Sequence, residues 1–215
     1  DNVNRIIKGD LSERAEVEGN NEITRLSEKF NYMLERLQTL YNNLEQKVKE
    51  RTADLNTKKE EIEVQKKSIE DSIRYALRIQ NAIIPSIEEI QKDISDTFMF
   101  YKPKDVVSGD FPYYYKKGDY LYYAAVDCTG HGVAGAMMSL IGHLLLNDVL
   151  NDDVILSPAE LLTKLHWRVV KTLKQDDENN KAADGMDIAM CRINLKENKL
   201  EYSGAHRPLY HIRND

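Results

Sequence analysis

Residues 21–84 contain neither glycine nor proline and are dense in Glu, Lys, Gln and Leu. A stretch of that length without a backbone breaker, built from good helix formers, predicts one helix of many turns. Ile23, Leu26, Phe30, Met33, Leu37, Leu40 and Leu44 alternate steps of three and four, the spacing of a coiled-coil seam. The next seam residue, Val48, comes after a step of four, and a sevenfold series follows through Leu55, Ile62, Ile69, Ala76 and Ile83. Replacing a seven-step by a four-step is a stutter, which locally unwinds a supercoil. Between Leu55 and Ile69 the alternate seam positions fall on Lys and Gln, so packing is expected to be loosest there. Pro85 closes the helix, because proline cannot continue the hydrogen-bond ladder. Heptads on both sides of one stutter predict an intermolecular coiled coil, a parallel homodimer, rather than a solvated single helix.

Composition narrows the function classes. The chain has 215 residues, 31% charged and 41% hydrophobic, enough for one or two domains. A net charge of -6 offers no basic excess for phosphate backbones and argues against a nucleic-acid partner. Cys128 and Cys191 are the only cysteines, without metal-finger or CxxC spacing, and are expected to be reduced thiols. The longest apolar stretch, Gly135 to Leu146, is short for a membrane span and carries Ser139 and His143. The chain starts at Asp1 and stops at Asp215 just after an expected strand, so both ends are expected to be cut from something longer.

Three short pieces precede or open the long helix: Ile7-Lys8-Gly9-Asp10-Leu11-Ser12, Asn21-Glu22-Ile23-Thr24-Arg25-Leu26, and Phe30-Asn31-Tyr32-Met33-Leu34. In that order they resemble the connector and second helix of a HAMP domain. The resemblance implies a dimeric parallel four-helix bundle, and a transmembrane sensor preceding it in the full-length chain.

From Pro85 onward Tyr, Gly and Pro become more frequent and the chain turns globular. Thr97–Lys102 reads as a strand. Phe111–Tyr115 and Tyr120–Val126 read as two more, joined by a Gly118-Asp119 hairpin signal. With the turn centred between Gly118 and Asp119, facing residues have numbers summing to 237, which sets Asp110 opposite Asp127. Like charges at that spacing repel, so they need a cation, a shared proton or plentiful water. A hard divalent ion such as Mg²⁺ or Mn²⁺ suits two carboxylates. A register shifted by one residue would instead leave the acids in separate solvated loops. After Asp127 comes Cys128-Thr129-Gly130-His131-Gly132, a glycine-rich turn into an apolar helix, Ala134 to Leu150.

Lys102–Phe111 and Asp127–Gly132 resemble the opening motifs of the SpoIIE/RsbU-type phosphatases, a bacterial branch of the PPM family. Tyr75–Gln80 with Ile84-Pro85, Asp184–Ala189 and Tyr202–Tyr210 match further pieces in order. The resemblance implies an α-β-β-α sandwich with two divalent ions, Mn²⁺ or Mg²⁺, between its sheets. A metal-activated water would attack phosphoserine or phosphothreonine directly. It also implies that Asp127 bridges the ions, that the main-chain carbonyl of Cys128 is a ligand, and that Asp110 holds a metal or its water. The family's later aspartates lie past the strand containing Ile212, so the chain as given is expected to be catalytically incomplete. Pro112 and Ala134 also depart from the family pattern, without removing a ligand.

Ser157-Pro158-Ala159-Glu160 is a capping box that opens a helix to about Lys174. Gln175–Ala183 reads as a polar loop, and Asp187–Leu195 with Leu200–Tyr202 as a hairpin around Glu197-Asn198, with more strand after Pro208. His131 and His206 read as structural residues, Trp167 as core, and Asp184 and Asp187 as a strand start rather than ligands.

The expected architecture is therefore α+β: a long N-terminal coiled-coil helix followed by a partial α-β-β-α sandwich. Residues 1–45 form a partial HAMP domain, 46–85 a coiled-coil signalling helix, and 86–215 the first part of a PPM-like phosphatase domain. The expected function is metal-dependent dephosphorylation of a regulator such as a STAS-type anti-sigma-factor antagonist, on the cytoplasmic side of the inner membrane. Two other classes compete. A diguanylate cyclase would need a second acid in Ser108-Gly109-Asp110-Phe111, and a non-catalytic signalling rod would not need Asp110 and Asp127 intact.

Overall fold

The computed structural model describes residues 5–6, 9–19, 21–177 and 183–213. Ile7 and Lys8 of the connector, residues 178–182 of the polar loop and Asp215 lie outside the described residues. The chain forms two compact units, Asp1–Lys67 and Ser68–Asp215.

In the first unit, helix α1 runs from Glu22 to Asn81 and continues into the second unit without a break. Asn21 caps its start, its side-chain oxygen accepting from the backbone amides of Ile23 and Thr24, both at 3.1 Å. The helix carries two adjacent stripes. Thr24, Ser27, Asn31, Leu34 and Gln38 are buried or half-buried, again in steps of three and four, with Leu34 only 1% exposed. Asn31 pairs with the connector through both the backbone amide (2.8 Å) and the carbonyl (2.9 Å) of Ala15. The Thr24 hydroxyl donates to the Glu18 carbonyl at 2.8 Å. The neighbouring stripe is the apolar seam, and Ile23, Leu26, Leu40 and Leu44 stand exposed along it.

The second unit is a four-stranded antiparallel sheet in the order β1-β2-β3-β4 with helices on one face. Its strands are β1 (Phe111–Lys117), β2 (Tyr120–Cys128), β3 (Met186–Asn194) and β4 (Lys199–Ala205). Its helices after α1 are α2 (Ile87–Gln91), α3 (Gly132–Asn151) and α4 (Pro158–Thr172). The β1–β2 register follows the expected sum, Phe111 facing Val126 and Lys117 facing Tyr120. Gly118, at φ +59°, takes the left-handed first position of the two-residue turn.

Alternation then separates the sheet's faces. Phe111, Tyr113, Tyr122, Ala124, Val126, Ile188 and Met190 form a buried core with Leu146 and Leu150 of α3 and Leu161, Leu165 and Val169 of α4. The capping box at Ser157 is formed on both sides: Ser157 Oγ accepts from the Glu160 amide, and Glu160 accepts from the Ser157 amide at 2.8 Å. By length and composition α3 could cross a membrane. Here Gly135, Met138, Ser139, Gly142 and Leu146 are buried, so α3 serves as a core helix.

Three expectations are corrected. Thr97–Lys102 is not a strand; the segment has no ladder partner, and Phe98 and Phe100 are exposed. Residues 208–213 likewise form no strand. Trp167 is not core but 66% exposed, packed edge-on against His166. The inward line of α4 is Leu161, Leu165 and Val169, and two residues from Leu165 is about 200° around a helix. The described residues hold one of the two sheets of the expected sandwich, with one face left uncovered by α3 and α4.

Candidate metal centre

The strand registers bring a row of carboxylates to the end of the uncovered face. Phe111, Val126 and Ile188 face one another across β1, β2 and β3 on the core side. One residue further along, side chains point to the opposite side. Asp127 of β2 faces Asp187 of β3 there. The carboxyl of Asp110, which precedes β1, lies close enough to that of Asp127 to interact with it directly. The two predicted ligands are thus brought together, and Asp187 joins them.

The electrostatics of the row are uneven. Asp110 has its pKa raised above the ordinary carboxylate range. Partial desolvation is the first cause, followed by the hydrogen bond and charge of Asp127, with Arg207 opposing. Arg207 forms an ion pair with Asp127 and lies 3.5 Å from Asp187. Asp110 therefore takes up a proton more readily than an ordinary carboxylate, while the Arg207 guanidinium is shared by Asp127 and Asp187.

The backbone beneath Asp110 is fixed from several sides. Its amide donates to Ser108 Oγ at 3.0 Å, and its carbonyl accepts from the Tyr101 hydroxyl at 3.1 Å. Ser108 is in turn clasped by Gln80, near the C-terminal end of α1 and only 1% exposed. The Gln80 amide donates to the Ser108 carbonyl (2.6 Å) and to Ser139 Oγ (2.8 Å), and accepts from the Ser108 amide (3.0 Å). Every polar atom of this buried side chain is satisfied, as burial demands.

Glycines bring three backbone segments into contact. A Cβ on Gly109 would lie 2.8 Å from the Gly130 carbonyl oxygen and 3.2 Å from that of Cys128. A Cβ on Gly135 would lie 2.6 Å from the Gly130 carbonyl oxygen. The main-chain oxygen of Cys128 therefore sits close against the residue preceding Asp110. The Cys128 side chain points the other way, into the core, where burial first and the charges of Asp127 and Asp110 next push its thiol up to about 12. It is a protonated thiol at neutral pH and unfit as a nucleophile. Two carboxylates and a carbonyl oxygen form a hard-oxygen donor set that suits Mg²⁺ or Mn²⁺. Among the described residues no three His, Cys, Asp or Glu side chains are grouped so as to hold one ion, the row of Asp110, Asp127 and Asp187 included.

Thr129 fastens the turn after β2 to the start of β3. Its amide donates to the Gly185 carbonyl at 2.9 Å, and its hydroxyl accepts from the Gly185 amide at 3.0 Å. His131 stands at the N-cap of α3 without a capping side-chain bond; its Nδ1 lies 3.1 Å from Asp105 Oδ2. Beside Asp127 opens a cavity of about 600 Å³, walled by Leu162, Leu165, His166, Asp184 and His206.

Two family models match the chain. HAMP domain covers residues 3–39 and Stage II sporulation protein E (SpoIIE) covers residues 117–215. Residues 117–215 are therefore similar to the SpoIIE family. Among solved structures, the chain is similar to the SiaA-PP2C domain of Pseudomonas aeruginosa at 30% identity, with a TM-score of 0.57. That likeness covers 65% of this chain and 55% of that one, so the chain spans about half the length of its solved relative. No curated protein matches the chain significantly. The SpoIIE match contains Asp127, Cys128, Asp187 and Arg207 and begins after Asp110, whose assignment rests on the geometry of the row.

Asp187, Arg207 and Gln80 were not legible as site residues. Asp187 joins Asp127 only through the β2–β3 register, a pairing of residues sixty apart in sequence. Gln80 follows Ile79, the alternate seam position three residues after Ala76, and periodicity gives a polar residue there no partner.

Proposed function

We propose that this chain is part of a PPM-type protein serine/threonine phosphatase, joining the first half of a divalent-metal site to the helix that regulates it. The observation that carries this reading is Asp110 set beside Asp127 at the end of the sheet face opposite α3 and α4, with Asp127 inside the stretch that matches SpoIIE. Asp110, Asp127 and the main-chain carbonyl of Cys128 would hold the ions. Two divalent ions, Mn²⁺ or Mg²⁺, would supply Lewis-acid polarisation of the phosphoryl group and acidify a water nucleophile. The chain's own contribution is positional. The Gly109, Gly130 and Gly135 contacts press the two acid-bearing loops together, and Ser108 and Tyr101 hold the Asp110 backbone. To ligate an ion Asp110 must release any proton it holds to solvent, so metal binding should weaken on acidification.

The regulatory half of the reading rests on α1. Apart from half-buried Phe30, its apolar seam residues from Ile23 to Ile69 are exposed along a 60-residue helix, a line that a second copy would cover as a parallel coiled coil. The HAMP match supports an upstream membrane sensor, with the phosphatase on the cytoplasmic side. Near its C-terminal end α1 reaches the metal loop through Gln80 and Ser108, so a rotation of the paired helices would be felt at Asp110. The substrate class is a phosphoprotein, a STAS-type anti-sigma-factor antagonist being the form that the sequence resemblance implies.

The test is turnover of a phosphoserine peptide by the full-length protein. Activity should require Mn²⁺ or Mg²⁺, disappear with a chelator, and fall at least about 100-fold in Asp127→Asn, since even outer-shell losses cost 10–100-fold. Turnover that survives both treatments would overturn the reading. Residues inserted near Lys58 should alter activity by changing helix phase, and unchanged activity would remove the coupling.

A further inference from the structure

The candidate metal site already contains a cation. Arg207 pairs with Asp127 and reaches toward Asp187, spanning two of the three carboxylates in the row. A guanidinium offers five donors in a rigid fork, so a single side chain can serve two neighbouring carboxylates.

The turn that delivers Arg207 is specifically built. β4 ends at Ala205, and His206 then adopts φ +57°, a left-handed conformation uncommon for a residue with a side chain. A parallel bridge between His206 and Ile188 holds this turn beside β3, one residue from Asp187. The Tyr202 hydroxyl donates to the Arg207 carbonyl. Gly204 leaves the room for that contact, because a Cβ there would collide with both the Arg207 carbonyl oxygen and the Tyr202 hydroxyl. Tyr202, Gly204 and His206 thus set the backbone of Arg207 in place. A backbone held at this point beside a strained left-handed residue is a mark of a functional position.

We propose that Arg207 is the resident counter-cation of the aspartate row, and that a divalent ion must displace it from Asp127 in order to bind. This rests on the reading of Asp110 and Asp127 as metal ligands. Both cations claim the same carboxylate, so binding is an exchange rather than a simple addition. Asp127 and Arg207 are each nearly half exposed, which screens their attraction and keeps the exchange reversible. Arg207 thereby prevents the carboxylate row from repelling itself apart without metal, and it sets the metal concentration at which the site loads.

The experiment is Mn²⁺ binding, followed by loss of the free-ion electron paramagnetic resonance signal, with no turnover involved. Arg207→Gln should tighten Mn²⁺ binding by about three- to tenfold, and raised salt should narrow that gap. Arg207→Lys, which keeps the charge, should stay within about twofold of the original chain. Equal or weaker binding by a folded Arg207→Gln chain would overturn the proposal. Asp127→Asn separates the two levels of inference. If Asp127→Asn abolishes binding while Arg207→Gln fails to tighten it, only the role of Arg207 is lost. If Mn²⁺ binding is absent or insensitive to Asp127→Asn, the metal site itself fails and Arg207 with it.

Discussion

The two faces of the four-stranded sheet are made by the same strands and do opposite things. On one face Phe111, Val126 and Ile188 continue into Tyr113, Ala124 and Met190 and disappear beneath α3 and α4. On the other, one residue away along each strand, Asp110, Asp127 and Asp187 stand in a row with Arg207. The first face is stabilised by apolar burial, worth about 1.5–3 kcal/mol per large side chain. The second buries Leu121 and Cys191 further along, and at its aspartate end concentrates like charge, which opposes folding unless a cation is present. Because side-chain direction alternates strictly, a core that fixes the register also fixes where the carboxylates point. Stability on one side is what aims the chemistry on the other.

Substitutions on the two faces should therefore separate. The largest effect is expected from Phe111→Ala, which removes a 2% exposed ring wedged against α3 and His143. It should cost about 3–5 kcal/mol in urea unfolding. A cost below about 1 kcal/mol would mean that the helical layer does not depend on this face.

Gln80→Leu comes next, and it probes the link between α1 and the acid-bearing loop. It strands the amide and carbonyl of Ser108, while the Ser139 hydroxyl keeps its bond to the Ala136 carbonyl. Leaving buried polar groups unpaired should cost about 3 kcal/mol. In the full-length protein it should also lower phosphatase activity more than a control of equal destabilisation on the core face. Equal losses in the two variants would reduce Gln80 to packing.

Asp110→Asn should have the smallest effect and the opposite sign. Its pKa is raised on folding, so ionisation is harder in the folded state than in the unfolded one. Its destabilisation is absent below the unfolded value near 3.9, grows as pH rises toward the folded value, and persists above it. Without divalent metal, Asp110→Asn should therefore raise the melting temperature at pH 7 and leave it unchanged at pH 3. A stabilisation equal at both pH values would remove the charge explanation.

The parts of this arrangement that could be read from the sequence are those governed by local rules. The Gly118-Asp119 turn fixed the hairpin register and so the facing of Asp110 and Asp127. The Ser157 capping box and the breaker-free stretch from 21 to 84 located α4 and α1. What escaped depends on long-range contacts. Asp187 and Arg207 enter the site through strand pairing and a left-handed turn at His206, neither of which periodicity records. Thr97–Lys102 is a short apolar run of strand length but has no partner among the described residues, and an apolar run without a partner does not make a ladder. Trp167 was misread by residue type, where the spacing of Leu161, Leu165 and Val169 already excluded it from the core line.

The division between the faces is tested most directly by two adjacent residues, Val126 and Asp127, which point to opposite sides of β2. Thermal unfolding and Mn²⁺ binding should be measured on Val126→Ala and Asp127→Asn under the same conditions. Val126→Ala should lower stability by about 1–3 kcal/mol and leave the Mn²⁺ dissociation constant unchanged. Asp127→Asn should keep or raise the melting temperature and lose Mn²⁺ binding. Retained Mn²⁺ binding in Asp127→Asn, or a loss of stability equal to that of Val126→Ala, would contradict the assignment of one face to the core and the other to the metal.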